Sequence, residues 1–300
     1  SPLVIANLNY QNIWSNIMNK KHFLFFLSLM TILFSQPENP VEDWKGKKIL
    51  LIGAHPDDDS QSYGTLAMLR EHGNEVWVLI LTTGNVGTKD PKMTRDRLSK
   101  IRREEEINAL KELNIDESYY INLGYTDGEL EWADRKEVVG KLVRWIRKIQ
   151  PDVLMAFDPG YGYVRWHKSD HRTASYLAAD ASRVAEWRLL FPSQIIHEGL
   201  SEWRIPEYLF YSPLDKDANV VVNITKFNDK RVKAKSMHLS QFSGMWNDYR
   251  GGNPEFLSKM ERKEFNDKIN RMKKVEGKII ESFRYYTGFP DGVGHGKWPK

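Results

Sequence analysis

The 300-residue chain has no cysteine. That excludes thiolate catalysis, disulfides and cysteine-based zinc sites, so any metal must be held by histidines and carboxylates. Charge of one sign is also scarce. The 44 Lys and Arg residues nearly balance 40 Asp and Glu, leaving a net +4. Both signs are mixed along the chain, which argues against a dedicated nucleic-acid binder. No Gly-x-Gly-x-x-Gly follows the first apolar strand, which disfavours dinucleotide binding. Neither an internal repeat nor a linker is visible, and residues 45–300 read as one domain. Aromatics, in contrast, are plentiful, with 10 Trp and 13 Tyr. Packing accounts for most of them, and a sugar-stacking surface is their functional use.

The first forty residues stand apart from this pattern. Residues 1–17 precede a natural-looking start at Met18 and read as an upstream segment. Residues 18–40 carry a basic opening, Lys20-Lys21-His22, and then the apolar run FLFFLSLMTILF from Phe23 to Phe34. A basic start, about a dozen apolar residues and a polar exit form a secretory signal pattern. The run is short beside the roughly twenty residues of a membrane span. The expectation is an exported protein, periplasmic or extracellular, touching a membrane only if this segment persists as an anchor.

From Lys47 onward, apolar runs alternate with amphipathic stretches. KILLIG (48–53), VWVLILT (76–82), residues 119–123 and DVLMAF (152–157) read as strands; the first is a continuous apolar run of the buried, parallel kind. Helical spacing fills 62–71, 93–113 and 136–149. Such alternation predicts an α/β fold with a mostly parallel central sheet and helices on both faces. Beyond it, 207–211 and 220–224 read as strands, 226–242 and 266–283 as helices, and 243–254 as a loop.

Two segments carry chemistry. Ala54-His55-Pro56-Asp57-Asp58-Asp59 directly follows the first strand, where open α/β sheets place their sites. Three carboxylates beside one imidazole cost several kcal/mol through mutual repulsion unless a cation joins them. Trp166-His167-Lys168-Ser169-Asp170-His171-Arg172 follows the fourth strand, so both segments can converge at one sheet edge. Together they offer two histidines and an aspartate to a zinc ion, with a position left open for water.

His-Pro-Asp-Asp after the first strand, with a later Asp-His-Arg, resembles the PIG-L/LmbE-like zinc deacetylases. Those enzymes remove acetyl groups from N-acetylglucosamine-type conjugates. The similarity continues through Thr82-Thr83-Gly84, Arg102-x-x-Glu105, Leu123–Gly128 and Lys235-x-x-His238-x-Ser240-Gln241, covering roughly 47–242. The resemblance implies a Rossmann-like three-layer sandwich, with Zn2+ on His55, Asp58 and His171. It implies Asp57 as the general base toward water held by the metal, and a small N-acetylated sugar or glycan as substrate. Asp59 stands where many members have Glu.

One departure affects catalysis. The family usually has a histidine three residues before the ligand His, stabilising the tetrahedral intermediate; that register here holds Lys168, with His167 one residue further away. Either His167, through a one-residue bulge, or Lys168 would take the role, and Asp170 would orient the neighbouring His. Arg102 and Asp127 match pocket-lining positions, while Trp166, His238, Gln241 and Trp246 are further candidates for the substrate or the site border. Two competing functions stay open: a metal-dependent phosphoesterase, and a glycan-binding protein with an inactive metal site.

Overall fold

The computed structural model describes residues 40–160 and 168–288. Eight strands form one sheet: β1 (Lys48–Gly53), β2 (Glu75–Thr82), β3 (Tyr120–Tyr125), β4 (Val153–Phe157), β5 (Glu207–Tyr211), β6 (Val220–Asn223), β7 (Lys273–Val275) and β8 (Lys278–Thr287). Their spatial order is β3-β2-β1-β4-β5-β8-β6, with β7 beside β8. The first five run parallel, and β8 runs antiparallel to β5, β6 and β7. The helices are α1 (Tyr63–Glu71), α2 (Arg95–Glu112), α3 (Arg135–Ile149), α4 (Ser169–Ala185), α5 (Pro192–Ile196), α6 (Asn228–Ser236), α7 (Leu239–Phe242) and α8 (Lys259–Asn270). Among the described residues no helix is long and apolar enough to cross a membrane. Apart from Pro40, the signal or anchor segment lies outside the described residues, as do the upstream residues 1–17.

The layering follows from the two-residue period of a strand. Ile49 and Leu51 face a core built with α1, α2 and α6, whereas Leu50 and Ile52 face one built with α3 and α4. A sheet apolar on both faces needs helices on both faces, which gives the three-layer Rossmann-like α/β sandwich. Caps set the helix ends: the Asp134 side chain accepts from Glu137 N at 2.7 Å to open α3, and Gln150, in the left-handed region, closes it before Pro151. Because β1 lies between β2 and β4, the connections diverge there, and a crevice opens beyond the carboxyl ends of β1 and β4. Both chemistry-bearing loops issue from that crevice.

The carboxyl-terminal region corrects the periodicity reading. The helix expected over 266–283 is a helix only to Asn270; β7 and β8 then form a hairpin. Ile279, Ile280 and Phe283 imitate helical spacing, but Glu276 and Gly277 have φ of 50° and 77°. Two consecutive positive φ values make the tight hairpin turn that matches strand twist. The hairpin is tied to α1 by the buried Glu281, whose carboxylate accepts from Gly64 N at 3.0 Å and Thr65 N at 2.8 Å in that helix's first turn. The helix expected over 226–242 is broken at Met237 and His238 into α6 and α7.

Candidate active site

The loop after β1 is tightly wound. At Gly53 a Cβ would lie 2.8 Å from Ile80 Cδ1 and 3.1 Å from the Asp58 Cβ, so the strand end packs closely on the turn that follows it. Asp57 has φ of 118°, outside the regions an L-residue ordinarily adopts, a strain characteristic of functional positions. Asp58 closes the turn, its Oδ2 accepting from Ala54 N and His55 N, each at 2.8 Å. Its Oδ1 faces His171 Nε2 at 3.2 Å. His171 sits in the first turn of α4 and stacks on Phe157 at the end of β4, with centroids 4.4 Å apart and planes 16° apart. The His55 and His171 rings lie 5.1 Å apart.

His55, Asp58 and His171 therefore converge, each offering a ligand atom within 4.8 Å of the others. His55 Nδ1 is 3.6 Å from Asp58 Oδ2. Ligand atoms bonded at about 2.1 Å in a tetrahedron lie roughly 3.4 Å apart, so this spacing fits a divalent ion. Imidazole and carboxylate are suitable donors for it. The electrostatics point the same way. Burial opposes charge on His55, but Asp58, Asp127 and Asp170 outweigh it and raise its pKa well above the usual value. Burial likewise opposes charge on Asp58, yet the two imidazoles hold it well below the carboxylate range. The cluster favours positive charge at its centre.

Asp57 stands beside this cluster, 18% exposed, with its Oδ1 accepting from Arg102 Nη2 at 2.9 Å. Burial raises its pKa, against the opposing pull of Arg102, a direction that suits a base working near neutrality. Arg102 was expected among substrate contacts. It lines the cavity beside the cluster while being largely buried, and donates also to Pro56 O, and to Gly84 O at 3.1 Å. Gly84, at φ 63°, is required there, because a Cβ would come within 2.5 Å of the guanidinium. Asp127, also expected to contact substrate, sends Oδ1 to His55 Nε2 at 2.9 Å. Asp170 reaches the same nitrogen at 3.2 Å.

A second correction concerns His238. It is fully buried, 2.6 Å from the Tyr63 hydroxyl, so it is a core group rather than a substrate contact. Burial lowers its pKa to about 3. Trp166 and His167 lie outside the described residues. Lys168 is exposed and borders a cavity of about 320 Å³ that is also lined by His55, Asp57, His171, Gln241 and Trp246. One wall of it is stitched together by Gln241 Nε2 to Gly87 O at 3.0 Å and by Thr88 Oγ1 to Trp246 O at 3.1 Å.

Sequence reasoning missed the supports behind the site. Phe157 has no signal beyond its place at a strand end. Glu105, matched only as part of a motif, accepts from Ser240 N at 2.7 Å and Ser240 Oγ at 2.6 Å, and burial raises it to about 7. Asp59 and Glu106 are both wholly buried, and none of their four carboxylate oxygens has a hydrogen-bond partner among the described residues. Burial raises Asp59 to about 7 and Glu106 well above its usual range.

Comparison with known proteins places this geometry in context. Residues 50–182 match the family model described as PIG-L, GlcNAc-PI de-N-acetylase. The chain is 31% identical over 221 residues to a diacetylchitobiose deacetylase of Thermococcus kodakarensis, covering 73% of this chain and 78% of that protein. It is 28% identical over 172 residues to a 1D-myo-inositol 2-acetamido-2-deoxy-alpha-D-glucopyranoside deacetylase of Kineococcus radiotolerans, covering 46% of this chain and 48% of that protein. In structure it is similar to the N,N'-diacetylchitobiose deacetylase from Pyrococcus horikoshii, with a TM-score of 0.68, 26% identity and coverage of 95% and 97% of the two chains.

Proposed function

The chain belongs to the PIG-L, LmbE-like deacetylase family, and on that premise we propose that it is a zinc-dependent hydrolase removing the acetyl group from an N-acetylated amino sugar or small glycan. The observation that carries this reading is the convergence of His55, Asp58 and His171 with Asp57 at the wall of one cavity. Those three side chains would hold the zinc, which when bound polarises an amide carbonyl and makes water more acidic, to a pKa of about 7.

The chain's own residues supply the rest. With Oδ1 of Asp57 engaged by Arg102, Oδ2 is the atom that accepts a proton from the attacking water and returns it to the departing amine. Lys168 or His167 supplies positive charge to the oxygen on which negative charge develops. The half-buried Trp246 offers an aromatic face at the cavity wall for a sugar ring.

The test is acetate release by zinc-loaded protein from N-acetylglucosamine and its short β-linked oligomers. Asp57→Ala should keep zinc and lose at least about two orders of magnitude in rate, as loss of a general base does. Full activity in that variant would remove Asp57 from the mechanism, and wild-type protein that releases no acetate from any sugar amide would refute the proposal. Between His167→Ala and Lys168→Ala, the larger loss of turnover identifies the oxyanion group.

A further inference from the structure

We infer that Trp132, on the rim beside the catalytic cavity, is a platform for a second sugar ring, so that the protein prefers N-acetylated oligosaccharides to a single acetylated sugar. This rests on the proposed deacetylase reading of that cavity and extends it by one binding position. Trp132 is 81% exposed, more than any other tryptophan among the described residues. A single apolar side chain in water needs no explanation by itself. What distinguishes Trp132 is where it is held. It lies in the loop between β3 and α3, five positions after Asp127, whose carboxylate lines the catalytic cavity. Five residues span at most about 18 Å, so the indole stands within the length of a short oligosaccharide seated there.

The turn that carries the indole is fastened to the site. Asp170 accepts from Gly128 N at 2.7 Å and from Leu130 N at 3.3 Å. Glu131, beside the tryptophan, accepts from Arg172 Nη2 at 2.7 and 2.8 Å. Trp132 N itself donates to Glu129 O at 3.0 Å. Asp170 and Arg172 flank His171 in the first turn of α4, so that turn holds both His171 and the tryptophan loop. A platform already fixed costs little further ordering when a ring settles on it. Next to it, a cavity of about 340 Å³ is lined by Thr126, Glu129, Trp132 and Glu137. Thr126 and Asp127 are consecutive, so one loop borders this cavity and the catalytic one. Carboxylates accept hydrogen bonds from sugar hydroxyls, while an indole face covers the apolar C–H side of the ring. Glu129 pairs with the exposed Arg95 at 3.3 Å, a surface contact weak enough for a hydroxyl to compete with.

The experiment measures acetate release by the full chain, zinc-loaded, from N-acetylglucosamine and its β-linked dimer, tetramer and hexamer. Wild type is compared with Trp132→Ala, Trp132→Phe and, as a control for an exposed tryptophan elsewhere, Trp187→Ala. Wild-type kcat/KM should rise about tenfold or more from monomer to tetramer, the scale of one aromatic contact. Trp132→Ala should lose that gain through a raised KM with kcat kept, the pattern of lost uniform binding. Its kcat/KM on the monomer should stay within about twofold of wild type, since a single ring leaves the platform empty. Trp132→Phe should recover part of the gain, and Trp187→Ala should match wild type. Should Trp132→Ala not fold, Trp132→Gln takes its place with the same expected loss. Wild-type rates independent of chain length, or an equal loss on monomer and tetramer, would overturn this inference and leave the deacetylase reading standing. So would a Trp132→Ala protein of lower sedimentation mass that keeps its preference for the tetramer, because a second copy would then be what covers the indole. No acetate from any of the four sugars would overturn the deacetylase reading and the inference with it.

Discussion

Replacing Arg102 by Met separates two roles open to a buried arginine beside the loop after β1: support for the proposed base and contact with substrate. Methionine keeps much of the side-chain volume and removes the guanidinium, which donates to Asp57, Pro56 O and Gly84 O. Breaking a fully buried ion pair from one side costs about 3–5 kcal/mol, and each buried carbonyl left without a donor costs roughly 1–3 kcal/mol. Asp57 keeps some water at 18% exposure, which offsets part of the loss. A destabilisation of at least about 4 kcal/mol is expected, read as the shift in urea midpoint at unchanged slope. Asp57 also loses the cation that holds its pKa down. A general base with a higher pKa is protonated over more of the acid range, so the acid limb of kcat/KM should move to higher pH. Misplacing the base by about 1 Å costs on the order of 100-fold in turnover. The assay is acetate release across pH with zinc saturating, and the expected result is a fall in kcat with little change in KM. Wild-type kcat with a tenfold rise in KM would refute this reasoning and return Arg102 to the substrate.

Two further outcomes test the supporting frame. Gly84→Ala should destabilise by about 1–2 kcal/mol for a left-handed alanine and by about 1–3 kcal/mol for overpacking against Arg102; combined with Arg102→Met it should cost less than the sum, because the clash partner is gone, and strict additivity in denaturation would disprove the contact. His238 bears on acid stability: its folded pKa of about 3 lies below the value near 6.5 of an unfolded histidine, so the stability it contributes is complete above about 6.5 and is lost as pH falls toward about 3, at about 1.4 kcal/mol per unit. Buried Glu105 and Asp59, raised to about 7, act in the opposite sense, so the quantity to measure is the difference between wild type and His238→Gln. That difference should shrink by about 2 kcal/mol between pH 7 and pH 5, and a constant difference would show that His238 is not held neutral.

Local pattern in the sequence was sufficient for the parallel strands, the helices between them and the acidic turn after β1, because strand and helix periods of burial are written in neighbouring residues. The convergence of His55, Asp58 and His171 was also legible, since loops that follow β1 and β4 of a parallel sheet open at the same edge. Local pattern misled at the last hairpin, where three apolar residues fit both periods and a Glu-Gly turn decided between them. Only the tertiary structure settled which partner each charged side chain takes. Arg102 turned under the loop to Asp57, Asp127 reached His55 across 72 residues of chain, and His238 went into the core against Tyr63. Such choices depend on which groups the folded sheet brings within 3 Å of one another, and no spacing along the chain encodes that distance.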